Sequence, residues 1–173
     1  MSLASLLWLF PIVFMLHDLE EIVRVESWLR KYGGGVREKI PTFLRKKFDV
    51  ICSLDSAAFS TAVAVEFLLF SAAAYLAVEK GFYASFFFFS VGFFVHGFFH
   101  VGTAMVLKQW TPGAASTIIL VFPYSIFLFT RLTQMGMIRW SEILILIAIT
   151  LVVFPIIASG LHSIGRALTK HLD

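Results

Sequence analysis

Two short stretches carry the residues best suited to chemistry. Residues 17–21 read HDLEE and residues 96–100 read HGFFH. On a helix, His17, Glu20, Glu21 and Arg24 fall at i, i+3, i+4 and i+7, which places them on one face. Asp18 lies about 100° round from His17, off that face. His96 and His100 are one helical turn apart, the spacing by which paired histidines hold one ion in helical zinc sites. Glu66 stands in the middle of the apolar run TAVAVEFLLF, His162 shares a helix face with Ser159, Ser163 and Arg166, and Tyr124 is flanked at i±7 by Thr117 and Arg131.

Imidazole and carboxylate without thiolate suit zinc or iron, and manganese less well. The single cysteine, Cys52, allows neither an intramolecular disulfide nor a thiolate cluster. The candidate metal ligands are His17, Glu20, Glu21, Glu66, His96 and His100. Six side chains suffice for one divalent transition metal plus a general base, for which Glu20, Glu21 and Glu66 are the candidates. They also suffice for two ions, since di-iron bundles use inward Glu and His at i, i+3 spacing, which His17 and Glu20 show in reverse order. His162, Arg24 and Tyr124 would orient ligands or touch substrate. Carboxylates gathered in an apolar setting take up protons unless a cation offsets their charge.

The elements that must position these groups are membrane helices. The chain has 173 residues, is 59% hydrophobic and has a mean hydropathy of +0.88. A bilayer core about 30 Å thick needs about 20 mostly apolar residues per helix. The expected fold is an all-α polytopic bundle forming one integral-membrane domain over 1–173. Its five transmembrane helices run over 2–31, 53–78, 82–108, 113–134 and 141–168, with four as the alternative count if the first is interfacial. The N-terminus has no basic n-region or small-residue cleavage site, so the first apolar run is expected to be a retained anchor. Eleven of the fourteen Lys and Arg fall on one side of these spans; only Lys80, Arg131 and Arg139 fall on the other. The positive-inside rule then puts the N-terminus outside and the C-terminus in the cytoplasm of a cell membrane.

At about 1.5 Å per residue, His17, Glu21, Glu66, His96, His100 and His162 converge on one slab in the cytoplasmic half of the bilayer. An ionised residue at a helix centre costs about 2.5–3.5 kcal/mol, so such a set marks function or pairing. Between the first two spans, YGGGV is expected to stop the first helix. Residues 41–51 are expected to form a short cytoplasmic interfacial helix opening at Pro41, with Phe43, Leu44, Phe48 and Ile51 as its apolar stripe. Pro11 is expected to kink the first helix above the cluster, and Pro155 is similarly placed above His162. The nine Phe residues between 82 and 99 are expected to pack or to face lipid.

HDLEE resembles the motif of the HXXEE-domain family of small prokaryotic membrane proteins, with His17, Glu20 and Glu21 at the matching positions. The resemblance implies a site at these three residues and supplies no reaction. EEIVR is similar to the paired glutamates and arginine of glutamate-type membrane proteases, with one spacer residue fewer. HGFFH is similar to one histidine box of membrane hydroxylases and desaturases, whose other boxes this chain lacks. The expectation is a membrane metalloenzyme acting on a lipid-like or other apolar substrate, by metal-assisted hydrolysis or di-iron-type oxidation. The alternatives are a proton- or ion-conducting transporter or channel using the same Glu and His residues, and a non-catalytic metal- or lipid-binding accessory protein. The expected partners are the bilayer and the substrate, with no nucleic acid; an oligomer is left open.

Overall fold

The computed structural model describes residues 1–39, 42, 45, 49 and 56–169. Helix α1 spans Leu3–Lys39, α2 Ser56–Lys80, α3 Ala84–Leu107, α4 Ala114–Gln134 and α5 Trp140–Thr169. No strand occurs among the described residues. Three helices, α2, α3 and α4, are long and apolar enough to cross a membrane, and α5 contributes a shorter apolar stretch, Trp140–Val153. Helix α1 is not one of the three; its apolar run is interrupted from Asp18 onward. These helices are consistent with a membrane protein.

The first helix corrects one expectation. Gly33, Gly34 and Gly35 do not stop it; α1 continues through them to Lys39. Glycine in a helix interior costs about 1 kcal/mol relative to alanine, which weakens a helix without forbidding it. None of the three adopts a positive φ. Beyond the glycines, Val36 is buried and Arg37 pairs with Asp49 at 2.7 Å, so the final turns have contacts of their own. Helix α1 also runs through Pro11. Proline removes the N–H that would bond the Leu7 carbonyl; one residue earlier, the Leu6 carbonyl accepts the Tyr124 hydroxyl at 3.0 Å. Of the expected interfacial helix over 41–51, only residues 42, 45 and 49 are described, each of them helical, and Cys52 lies outside the described residues.

Packing follows from the solvent. Lipid tails are as apolar as the side chains, so helices associate through close packing and hydrogen bonds more than through hydrophobic exclusion. Helix α1 packs along α2, α5 packs against both α2 and α3, and α4 lies against α1 and α3. Aromatic rings fill the centre. Phe10 stacks on Phe70 at 4.9 Å and meets Phe86 and Phe93 edge-on at 5.4 and 5.9 Å. Phe14 meets Phe70 and Phe93 edge-on at 4.6 and 5.7 Å. Offset and edge-to-face pairs of this kind are the favourable geometries for ring quadrupoles. The Phe-rich stretch thus divides, with Phe86 and Phe93 in the core and Phe98 and Phe99 of α3 exposed, as is Phe82 just before it.

Helix α4 packs tightly on α3 at Gly97, where a Cβ would meet the Thr117 and Phe122 side chains at 2.9 and 2.8 Å. Thr117 opens a π-turn over Thr117–Val121. Such turns shift the register of everything before them, and they recur at functional sites.

Candidate metal centre

Four side chains from two helices meet below the aromatic core. His17 and Glu21 come from α1, and His96 and His100 from α3. One ligand atom of each lies within 4.8 Å of all the others. Glu21 Oε1 is central, at 3.2 Å from His17 Nε2, 2.8 Å from His100 Nε2 and 3.9 Å from His96 Nε2. The two α3 histidines bring their Nε2 atoms to 2.7 Å. Phe93 closes the site above, edge-on to His17 at 5.5 Å. His17 is fully buried, Glu21 nearly so, and His96 is the most open of the four, with 32% of its side chain exposed.

The loop between α3 and α4 fixes His100. Its Nδ1 lies 3.0 Å from the Pro112 carbonyl, which can only accept, so Nδ1 carries a proton. In the neutral ring, Nε2 then presents its lone pair to Glu21 Oε1 and His96 Nε2. Acceptors brought this close require a proton or a cation among them. His17 Nε2 and Glu21 Oε1 are buried and complete no hydrogen bond. Neutral imidazoles and a carboxylate are the ligand forms that divalent transition metals take, and the donor chemistry fits zinc or iron.

The same loop sets how closely the wall can approach. Gly113 has φ +79, and a Cβ on it would fall 2.5 Å from Glu21 Oε1 and 2.6 Å from His100 Nδ1. Only glycine combines that backbone conformation with that clearance.

The other sequence candidates are placed as follows. Glu20 lies outside the four-residue group; Oε1 accepts from Arg24 at 2.8 Å, and Oε2 accepts from the Ser116 backbone N–H at 2.9 Å and the Ser116 hydroxyl at 2.6 Å. Its carboxylate therefore caps a free N–H in the first turn of α4, where the helix dipole favours an anion. Glu66, on α2, is half-buried and outside the group, but lies close enough to Glu21 for their charges to interact. Tyr124 is engaged at Leu6, roughly 16 Å along α1 from His17 at 1.5 Å per residue. His162 lies on α5, with its side chain outside what is described.

Asp18 is off the ligand face, as its spacing predicts, yet it is buried at 5% exposure with Oδ2 lacking a hydrogen-bond partner. Its charge interacts with those of Glu21 and Glu66. Sequence spacing also gave no role to Ser116, whose hydroxyl lies 2.9 Å from His17 Nδ1, or to Pro112 and Gly113. The available signal was TPGAAS, a turn followed by a helix start with serine in its first turn.

No curated protein and no solved structure matches the chain. A family model described as "Protein of unknown function with HXXEE motif" matches residues 8–128. That segment carries the motif residues, both α3 histidines and the α3–α4 loop that seats His100. The chain belongs to the HXXEE family, and His17, Glu20 and Glu21 are its motif residues.

Proposed function

We propose that this protein is an integral-membrane metalloenzyme holding one divalent transition-metal ion on His17, Glu21, His96 and His100. The observation that carries this reading is the convergence of three imidazole nitrogens on one buried carboxylate oxygen, all within 4.8 Å. One ion is favoured over two because the group contains a single carboxylate, whereas dinuclear bundle sites draw several from facing helices. Zinc is the first choice for such a nitrogen-rich set and iron the second. A bound ion of this class supplies a Lewis acid and lowers the pKa of water toward neutrality.

The chain's own residues then divide the work. Glu66 is the general base, half-buried beside the group and free of the helix-capping contacts that occupy Glu20. Asp18 and Glu66 balance the net positive charge that a divalent ion and one carboxylate leave behind. The exposed edge of His96 and the neighbouring exposed Phe99 give a lipid-like substrate lateral access. The reaction class is hydrolysis, with oxidation as the alternative if the ion is iron. In the membrane, α1 and α5 complete a five-span bundle. The N-terminus lies outside, and the site sits in the cytoplasmic half of the plasma membrane.

The test is elemental analysis of protein purified without chelators, beside a His96→Ala/His100→Ala variant. One equivalent of metal in the wild type and none in the variant is the expected result. A metal-free wild type would sink the proposal. Asp18, buried near Glu66 with its Oδ2 lacking a hydrogen-bond partner, favours one second reading, a proton-conducting path. Proton flux in liposomes that is lost in Asp18→Asn, with no metal bound, would select it.

A further inference from the structure

Three groups link the second motif residue to the first across two helices. Glu20 Oε2 receives the Ser116 hydroxyl at 2.6 Å, and Ser116 Oγ lies 2.9 Å from His17 Nδ1. A serine hydroxyl has one proton to give. Its candidate acceptors are Glu20 at 2.6 Å, His17 Nδ1 at 2.9 Å and the Gly113 carbonyl at 3.2 Å. The carboxylate is the shortest of these and makes a charge-assisted bond, so it takes the proton. Arg24 and the Ser116 backbone N–H occupy the rest of Glu20 and hold it in place. Ser116 Oγ can then only accept from His17, so Nδ1 must carry the ring proton.

We infer that Glu20 and Ser116 are positioning residues that lock His17 in its Nδ1–H tautomer and leave Nε2 free to ligate. The inference deepens the metal reading above and rests on it. It gives the two glutamates of the motif different tasks: Glu21 faces the ion, while Glu20 acts through Ser116 on His17. His100 is set the same way by the Pro112 carbonyl, so one short segment, 112–116, orients a histidine from each helix. Orienting contacts of this kind typically contribute about 10–100-fold to metal affinity.

The experiment is 15N NMR of histidine-labelled protein in nanodiscs, with His17 assigned by loss of its signals in His17→Gln, followed by zinc titration. In the metal-free wild type, His17 should show Nδ1 protonated and Nε2 unprotonated. Ser116→Ala and Glu20→Ala should lose that tautomer preference and bind zinc about 10–100-fold more weakly. Ser116→Thr, which keeps the hydroxyl, should restore both. The double variant should be no worse than Ser116→Ala, because the two residues act in series. A wild-type His17 protonated at Nε2 overturns the inference, and because it is measured on the native chain it does not depend on how any variant folds. Wild-type tautomer and affinity in Ser116→Ala also overturn it. The expected tautomer in a wild type that takes up no zinc upholds the relay and refutes the metal reading instead.

Discussion

Gly113→Ala separates the site from the fold. Gly113 has φ +79, Gly81 has φ +66, and both conformations are unfavourable for alanine by about 1–2 kcal/mol. The two positions differ in what surrounds them. A Cβ at Gly81 meets no atom within 4 Å, whereas one at Gly113 meets Glu21 Oε1 at 2.5 Å and His100 Nδ1 and Cε1 at 2.6 and 2.7 Å. Ordinary contact begins near 3.4 Å. Glu21 must therefore retreat by about 0.9 Å, against a tolerance of roughly 0.2 Å in ligand distances. Glu21 could swing away at little steric cost, but its oxygen is the centre of the donor group. His100 is a rigid ring already held at Pro112. Gly113→Ala should weaken zinc binding by at least the roughly 10–100-fold that loss of an orienting contact costs. Gly81→Ala should keep wild-type affinity and, carrying only the backbone cost, should lose no more thermal stability in the metal-free form than Gly113→Ala. Competition against a chromophoric chelator measures the first quantity and thermal melting the second. Wild-type zinc affinity in Gly113→Ala, or an equal loss in Gly81→Ala, would refute the crowding at this wall.

Further expectations follow from the same geometry. Tyr124→Phe removes a buried hydrogen bond to Leu6 and should cost about 1 kcal/mol in stability. Its distance from His17 predicts unchanged metal content by elemental analysis. Chelator treatment should lower the melting temperature, since a ligand at a hundred times its Kd stabilises by about 2.7 kcal/mol; an unchanged melt with demonstrated metal removal would contradict this. Arg37 lowers the Asp49 carboxyl below its ordinary 3.8, so any stability from this pair is present above that value and lost as pH falls through the lower, folded one. Asp49→Asn should therefore melt slightly below wild type above pH 5 and converge with it as pH falls through the folded value; the pair is exposed, so the difference stays small, and a gap that widens on acidification would contradict this.

Much of this was written in the order of the residues. Apolar runs interrupted by turn residues mark out the helices, and the helical repeat puts His17 with Glu21 and His96 with His100, because a helix fixes which side chains share a face. Sequence spacing could not show that α1 continues past Gly33–Gly35. Glycine tolerates a helix as well as a turn, and contacts beyond it decide. Nor could it separate Glu20 from Glu21, since both sit on the inward face. Which one reaches the histidines depends on where α3 and α4 stand, and that is set by ring packing around Phe10 and Phe93 and by the close approach at Gly97. Composition and periodicity, being local, determined a helical membrane protein with histidine and glutamate turned inward. The tertiary structure alone decided that four of those groups share one point while Ser116 and Pro112 aim two of the rings. Ser116 and His17 lie far apart in sequence, and only packing brings them together.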